Sequence, residues 1–159
     1  MKVFVVSDIH GNIGALGAVL ESYRREYPCD FLFLGDAVGY GAHPDSCLDA
    51  ILDLPRAKLV LGNHDAALLK EMRSPDMNEV AAEAISWTER RLDDRYREAI
   101  RRRFRLSVEE ESYIGVHGSP RNPEDWPYVL SPFEAGQAFF AREFRICFVG
   151  HTHVPSVFS

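Results

Sequence analysis

The feature that most constrains the fold is a pattern that occurs three times in the first 65 residues: an apolar run of strand length that ends in a polar loop. The runs cover residues 2–7, 30–34 and 57–61. Residues 13–27 have helical apolar spacing, and Pro44 begins a second short helix before the third run. Parallel strands joined by crossover helices end at one edge of a sheet. The sequence therefore predicts an α/β fold with its functional residues at that edge.

The rest of the chain predicts elements that surround this sheet. Ser131 and Pro132 are an N-cap residue and a first-turn proline, which mark the start of a helix. We predict a single domain over residues 1–159, because no linker separates the elements. The remaining predicted elements are two or three helices within 65–105, two strands within 106–116 with a turn at 109–111, a helix through Phe140, and strands at 146–149 and 154–158.

Composition and charge count against several classes of protein. A net charge of −6 gives no general attraction for nucleic acid or acidic membranes. The apolar stretches are far shorter than the roughly 20 residues of a membrane helix, and the N-terminus lacks the pattern of a signal peptide. Cys29, Cys47 and Cys147 are odd in number and lack C-x-x-C spacing, which favours reduced thiols. We therefore expect a cytoplasmic protein without a membrane partner.

Histidines are concentrated where the apolar runs end. Five of the six follow such a run directly, and three further polar residues lie at equivalent positions. A single histidine in this setting would more often have a structural role, so the evidence lies in the repetition. The histidines are His10, His64, His117, His151 and His153, and the further residues are Asp8, Asp36 and Asn63.

Their side chains are suited to a divalent metal ion. Carboxylate oxygens, an amide oxygen and imidazoles match ions such as Mn, Fe, Co, Ni or Zn, and no thiolate belongs to the set. The candidate ligands outnumber the positions around one tetrahedral ion, whereas two ions that share a bridging carboxylate account for them. The seven candidates are Asp8, His10, Asp36, Asn63, His117, His151 and His153.

The loop after the third run leaves two roles open. His64 could bind metal or carry a proton, and Asp65 could hold an imidazole in one tautomer. Asp65 could equally be a carboxylate at a helix N-terminus that accepts hydrogen bonds from backbone amides.

Five short motifs occur in one order along the chain and together resemble the calcineurin-like metallophosphoesterase family. They are D-x-H at Asp8, G-D at Asp36, G-N-H-D at Asn63, V-H-G at His117 and G-H-T-H ending at His153. The Gly-Tyr-Gly loop after Asp36 and the run from His117 to Arg121 are similar to the small bacterial and archaeal phosphatases and phosphodiesterases of that family. The ordered set is specific, although each motif alone is weak.

The resemblance implies a four-layer αββα sandwich and a hydrolase of phosphate esters with two divalent ions, Mn first among the candidates. A hydroxide that bridges the ions would attack phosphorus, with His64 as general acid and Asp65 orienting His64. Arg121 and Tyr40 are weaker candidates for substrate contact. By resemblance Asp8, His10 and His153 would hold the first ion, Asn63, His117 and His151 the second, and Asp36 would bridge them.

The expected substrate is a small phosphate ester or a nucleotide, and the choice between monoester and diester stays open. The family normally continues beyond G-H-x-H with strands that complete a second sheet, whereas this sequence stops at Ser159. We therefore expect an incomplete second sheet, a truncated chain or completion by another chain, such as a homo-oligomer.

Proteins with two other functions share this fold. The fold resembles that of the retromer subunit, a protein-interaction scaffold, but that relative lacks the histidine after asparagine, and His64 is present here. Nucleases also share the fold, and the acidic charge counts against that function. We expect an enzyme, with a catalytically weak scaffold as the alternative.

Overall fold

A computed structural model describes residues 2–71 and 77–159 and has the predicted α/β class. In chain order the elements are β1 (Val3–Val6), α1 (Ile13–Glu26), β2 (Asp30–Phe33), α2 (Pro44–Leu52), β3 (Ala57–Val60), α3 (Asn63–Leu69), α4 (Glu79–Arg91), α5 (Asp94–Arg103), β4 (Phe104–Arg105), β5 (Ser107–Glu110), β6 (Tyr113–Val116), α6 (Pro132–Ala141) and β7 (Cys147–Phe148). The predicted helical segment 65–105 contains three helices, and part of it lies outside the described residues.

The first sheet is parallel throughout, in the order β1-β2-β3-β4. Its first three strands, joined by the crossover helices α1 and α2, confirm the parallel arrangement predicted from the sequence. The fourth strand was not predicted, because a strand of two residues directly after an arginine-rich helix has no periodicity to detect. Phe104 lies opposite Leu59, so the helical segment also returns to the sheet.

The second sheet has the order β5-β6-β7, with β5 and β6 antiparallel and β6 and β7 parallel. The predicted turn is displaced, since β5 continues through Glu110 and pairs with Tyr113. The predicted strand at 154–158 is wrong, because these residues form neither helix nor strand. A strand needs a partner for its backbone groups. The neighbouring strand β7 lines one apolar cavity together with residues 154–158, but it is only two residues long and offers few backbone groups for pairing.

Two apolar cores hold the layers together. Phe31 and Phe33 of β2 face a core shared with helices α1–α5. The intervening Leu32, with Leu34, faces a second core that includes Tyr113 of β6. Strand side chains alternate between faces, so β2 is buried on both sides. The two sheets therefore pack against each other, with the helices α1–α5 on the outer face of the first; the four-layer arrangement stays a prediction.

The starts of the helices follow the predicted capping chemistry. Pro44 is the first residue of α2. The side chain of Ser131 accepts a hydrogen bond from the backbone N–H of Glu134 at the start of α6. Asn12 also caps α1, since its side chain accepts a hydrogen bond from the backbone N–H of Ala15, although no cap was predicted there.

None of the helices in the described residues combines the length and apolar character needed to cross a membrane. Cys29, Cys47 and Cys147 are free thiols, as predicted.

Around β7, apolar side chains are exposed beside a cavity of about 490 Å³, with Phe140 on α6 and Val157 almost fully exposed.

We predict that Gly115→Ala lowers the free energy of unfolding by about 1–3 kcal/mol, because it overpacks the core between the sheets. A Cβ at Gly115 would lie 3.0 Å from Leu32 and 3.1 Å from Leu34. The matched control is Gly17→Ala on α1, where a Cβ meets nothing within 4 Å. That change should raise stability by about 0.5–1 kcal/mol, since alanine favours a helix. Urea unfolding measures both, and equal effects would contradict the sheet packing described above.

Candidate metal centre

The ends of strands from both sheets meet at one side of the molecule. In the first sheet, the loop after β1 carries Asp8 and His10, the loop after β2 carries Asp36, and Asn63 and His64 begin α3 after β3. In the second sheet, His117 follows β6, and the loop after β7 carries His151 and His153. The predicted clustering at the carboxyl ends of the strands is therefore present, with contributions from both sheets.

Backbone hydrogen bonds tie these loops to one another. The N–H of Asp8 donates to the carbonyl of Gly35 at 3.0 Å, and that of His10 donates to the carbonyl of Asp36 at 2.9 Å. Across the second sheet, the N–H of Gly150 donates to the carbonyl of His117 at 2.8 Å. The loops after β1 and β2, and those after β6 and β7, are thus placed by each other as well as by their own strands.

Asp65 acts on the backbone, and the expectation that it holds the imidazole of His64 is not met. Its fully buried carboxylate accepts hydrogen bonds from the backbone N–H groups of Asp36, Ala37, Val38 and Gly62, at 2.9, 3.0, 3.3 and 3.2 Å. Burial and the nearby Asp36 charge raise the pKa of Asp65 to about 7, while the amide donors favour its ionised form. The carboxylate joins the loop after β2 to the start of α3.

Five of the candidate ligands have left-handed backbone conformations. This region costs a residue with a Cβ about 1 kcal/mol or more, and it occurs where surrounding contacts impose it. The five φ angles are 55° at Asp8, 48° at His10, 60° at Asp36, 65° at His151 and 54° at His153. Strain of this kind is typical of functional loops, where a side chain must point in one particular direction.

One cluster consists of Asp8, His10 and His153, whose ligand atoms lie within 4.8 Å of one another. The Nδ1 of His10 lies 2.9 Å from the carbonyl of Val38, which assigns the proton to Nδ1 in the neutral ring. The Nε2 of His10 then carries a lone pair and lies 3.2 Å from the Nε2 of His153. Asp8 Oδ1 is 3.2 Å from the same atom of His153.

A second cluster consists of Asp36, His117 and His151. The Nδ1 of His117 lies 2.7 Å from the carbonyl of Leu34, so the Nε2 again carries the lone pair of a neutral ring. That Nε2 lies 3.0 Å from Asn63 Oδ1 and 3.3 Å from Asp36 Oδ2. Burial favours a neutral His117, but the charge of Asp36 outweighs it and raises the pKa of His117 to about 9.

Asp36 lies between the clusters and is almost fully buried. Its Oδ1 accepts a hydrogen bond from the backbone N–H of His64 at 2.9 Å. Its Oδ2 lies 3.6 Å from the Nε2 of His10 and 3.3 Å from that of His117. Burial disfavours the charged form, yet the histidines, His117 above all, hold the pKa of Asp36 well below its usual range.

The donor set fits a cation at both clusters. With His10 and His117 neutral, their Nε2 lone pairs lie 3.0–3.3 Å from other potential ligand atoms, and a metal ion would take the place of the proton that otherwise joins each pair. Asp8 Oδ1 is buried and accepts no hydrogen bond within residues 2–71 and 77–159. Carboxylates with neutral imidazoles whose other nitrogen is fixed by a carbonyl are typical metal ligands.

His64 is buried beside both clusters. Its ring centroid lies 4.6 Å from that of His10, and its Nε2 lies 4.0 Å from Asp36 Oδ2. Its Nδ1 is buried without a hydrogen-bond partner among the described residues. Burial lowers the pKa of His64 to about 4. His10, Asp36 and His64 also form a group that could hold metal, so both roles considered for His64 remain compatible with the geometry.

The two weaker candidates have different surroundings. The ring of Tyr40 lies 4.9 Å from that of His10 and 4.8 Å from that of His64, and it is half-exposed at the edge of the centre. Arg121 is exposed, and its guanidinium donates to the side chain of Gln137 on α6 at 2.9 Å. Neither of the hydrogen bonds found for Arg121 in the described residues reaches the centre. A contact between Arg121 and substrate therefore stays a prediction.

Sequence reasoning missed Tyr128. Its ring stacks on the imidazole of His151, with centroids 4.0 Å apart and planes at 14°. No local pattern marks it, because the contact joins a proline-rich loop after β6 to the loop after β7.

Comparison with known proteins identifies related sequences and structures. The model of the calcineurin-like phosphoesterase superfamily domain matches residues 1–159. A crystal structure of a metallophosphoesterase from Sphaerobacter thermophilus is 35% identical with a TM-score of 0.80, and the match covers 98% of this chain and 62% of that one.

Two curated proteins are also similar. An uncharacterized protein of Methanocaldococcus jannaschii is 34% identical over 158 residues, which are 98% of this chain and 63% of the relative. The symmetrical bis(5'-nucleosyl)-tetraphosphatase of Glaesserella parasuis is 36% identical over 75 residues, which are 46% of this chain and 28% of that protein. The chain thus spans less than two thirds of the length of these relatives.

We predict that Mn²⁺ stabilises the protein and that Asp36→Asn removes most of this effect. At a free concentration of 100 times Kd, a bound ion adds about 2.7 kcal/mol, or roughly 5–10 °C in Tm. Asparagine keeps the volume and the Oδ1 acceptor of Asp36 but removes the charge between the clusters, so the Mn²⁺ affinity should fall roughly tenfold or more.

Thermal unfolding of chelator-treated protein with and without Mn²⁺ measures the shift for each variant. Asp53→Asn is the control, because Asp53 is an exposed aspartate at the end of α2. An equal Mn²⁺ shift in wild type and Asp36→Asn would contradict a metal site at Asp36.

Proposed function

This chain belongs to the calcineurin-like phosphoesterase superfamily, and from that membership we propose that it hydrolyses phosphate esters with two divalent metal ions. The observation that carries the proposal is the position of Asp36, which belongs to the second cluster and has its Oδ2 3.6 Å from the Nε2 of His10 in the first. A carboxylate within reach of ligands from both clusters is the arrangement that a pair of neighbouring ions requires.

The proposed ligands divide between the two clusters. When bound, such ions would polarise the phosphoryl oxygens and lower the pKa of a water molecule. Manganese is the first candidate, because mixed carboxylate and imidazole ligands suit ions of intermediate hardness. One ion would be held by Asp8, His10 and His153, the other by Asn63, His117 and His151, and Asp36 would contact both.

His64 is the proposed general acid for the leaving oxygen. Its ring is buried next to Asp36, and its Nδ1 has no partner among the residues that the structure describes. The negative charge of a phosphate ester beside the ring would favour its protonated form, because opposite charges attract. Asp65 would support this role indirectly, since it fixes the first turn of α3, on which His64 lies.

The proposed substrate is a phosphate ester with an organic group that reaches the edge of the centre. The partial similarity to a bis(5'-nucleosyl)-tetraphosphatase supports a nucleotide among the candidates. Tyr40 is proposed to contact the organic group, because its half-exposed ring lies beside His10 and His64. Arg121 is a more distant candidate for a phosphate further along the substrate.

A substrate panel tests the activity. Chelator-treated protein reconstituted with Mn²⁺, Ni²⁺ or Zn²⁺ is assayed with p-nitrophenyl phosphate, bis-p-nitrophenyl phosphate, cyclic nucleotides, dinucleoside polyphosphates and phosphopeptides. We expect metal-dependent release of product from at least one class. Inactivity with every ion and ester would instead support the scaffold function.

We predict that His64→Ala lowers kcat by about 10²–10⁴-fold while Mn²⁺ binding persists, because a general acid typically contributes a factor of this size. Steady-state kinetics on the best substrate measures the loss, and calorimetric titration with Mn²⁺ measures the affinity. His64→Gln, which retains a polar side chain without an imidazole, should be similarly slow. Loss of Mn²⁺ binding in both variants would assign His64 as a ligand instead.

A further inference from the structure

Tyr128 forms an aromatic surface at the second cluster. One face of its ring rests on His151 at a centroid distance of 4.0 Å and an angle of 14°. The residue is nevertheless 54% exposed. Since His151 covers one face, the exposed area belongs to the opposite face and the edge of the ring.

The neighbours of Tyr128 hold this surface in place. Trp126 is buried, and its indole N–H donates to the carbonyl of Leu61 at 3.2 Å. The backbone of Trp126 and Pro127 passes so close to Gly118 that a Cβ there would lie 2.7 Å from the carbonyl carbon of Trp126. The segment before Tyr128 is thus anchored to the end of β3 and to the residue after His117.

The position of the ring relates it to the proposed reaction. The ring of His151 lies 4.9 Å from that of His117, and the Nε2 of His117 lies 3.3 Å from Asp36 Oδ2. Tyr128 is therefore separated from the centre by one imidazole. An organic group attached to a phosphate in the centre could extend over His151 and reach the open face of Tyr128.

We propose that Tyr128 determines specificity by stacking on an aromatic substituent of the substrate, a nucleobase or an aryl ring. This inference rests on the proposed phosphoesterase function. Stacking of a base on an aromatic side chain is sequence-tolerant and typically strengthens binding by roughly 5- to 150-fold. A tyrosine supplies this contact area with only two rotatable side-chain bonds, so little side-chain entropy is lost.

Tyr128 could alternatively support His151 alone. In that case its removal would weaken binding of every phosphate compound to the same extent, because only the position of His151 would change. A stacking role instead affects only ligands that carry an aromatic group. The two roles therefore differ in a measurable selectivity.

The experiment compares adenosine 5'-monophosphate with ribose 5-phosphate, which has the sugar and phosphate but no base. Calorimetry on Mn²⁺-loaded protein measures both affinities in wild type, Tyr128→Leu, Tyr128→Phe and Tyr128→Trp. We expect wild type to bind the nucleotide at least about fivefold more tightly, Tyr128→Leu to lose most of this preference with ribose 5-phosphate binding unchanged, and the aromatic variants to keep it. Tyr27→Leu is the matched control, since Tyr27 is also 54% exposed but follows α1 at the other end of the first sheet.

Each contrary outcome overturns a different statement. Equal weakening of both ligands in Tyr128→Leu would assign Tyr128 a supporting role at His151 and overturn the stacking proposal. An unchanged preference in Tyr128→Leu would overturn it as well. If wild type binds neither compound and hydrolyses no ester of the panel, the phosphoesterase function fails together with the inference.

Discussion

The centre depends on the buried carboxylate of Asp65. It accepts four backbone hydrogen bonds, three from residues 36–38 and one from Gly62, and so joins the loops that follow β2 and β3. A buried carboxylate requires such donors, because its desolvation is otherwise costly. The same bonds hold Asp36 in a left-handed conformation, with its side chain between His10 and His117. Hydrogen bonds from the backbone to one side chain thereby place the Asp36 charge between the two clusters.

The polar centre is stable because the structure around it is rigid and apolar. Phe31 and Phe33 anchor β2 to the helices, while Leu32 and Leu34 anchor it to the second sheet. With β2 buried on both faces, the loop after it cannot relax without loss of packing. This packing offsets the cost of the left-handed conformations at the strand ends and so keeps the candidate ligands in place.

Two half-exposed tyrosines lie at different sides of the ligand set. Tyr40 contacts His10 and His64, whereas Tyr128 contacts His151. In the proposed reaction the metal ions would contact only the phosphate, which is common to all phosphate esters. Selectivity therefore has to come from groups outside the ligand set, and these two rings are half-exposed surfaces of that kind beside it.

The sequence by itself determined the parallel arrangement of the first three strands, the starts of α2 and α6, and the set of candidate ligands. These follow from local information, namely apolar periodicity, capping residues and the donor chemistry at strand ends. It left two roles for Asp65, because both are available to a carboxylate at a helix start. Tertiary structure decided between them, since three of the amide donors lie in a different loop. It also decided that β4 pairs with β3, that 154–158 forms no strand, and that Tyr128 rests on His151. Each of these depends on which distant segments supply partners for backbone groups and ring faces, and such pairings leave no periodic signal in the chain.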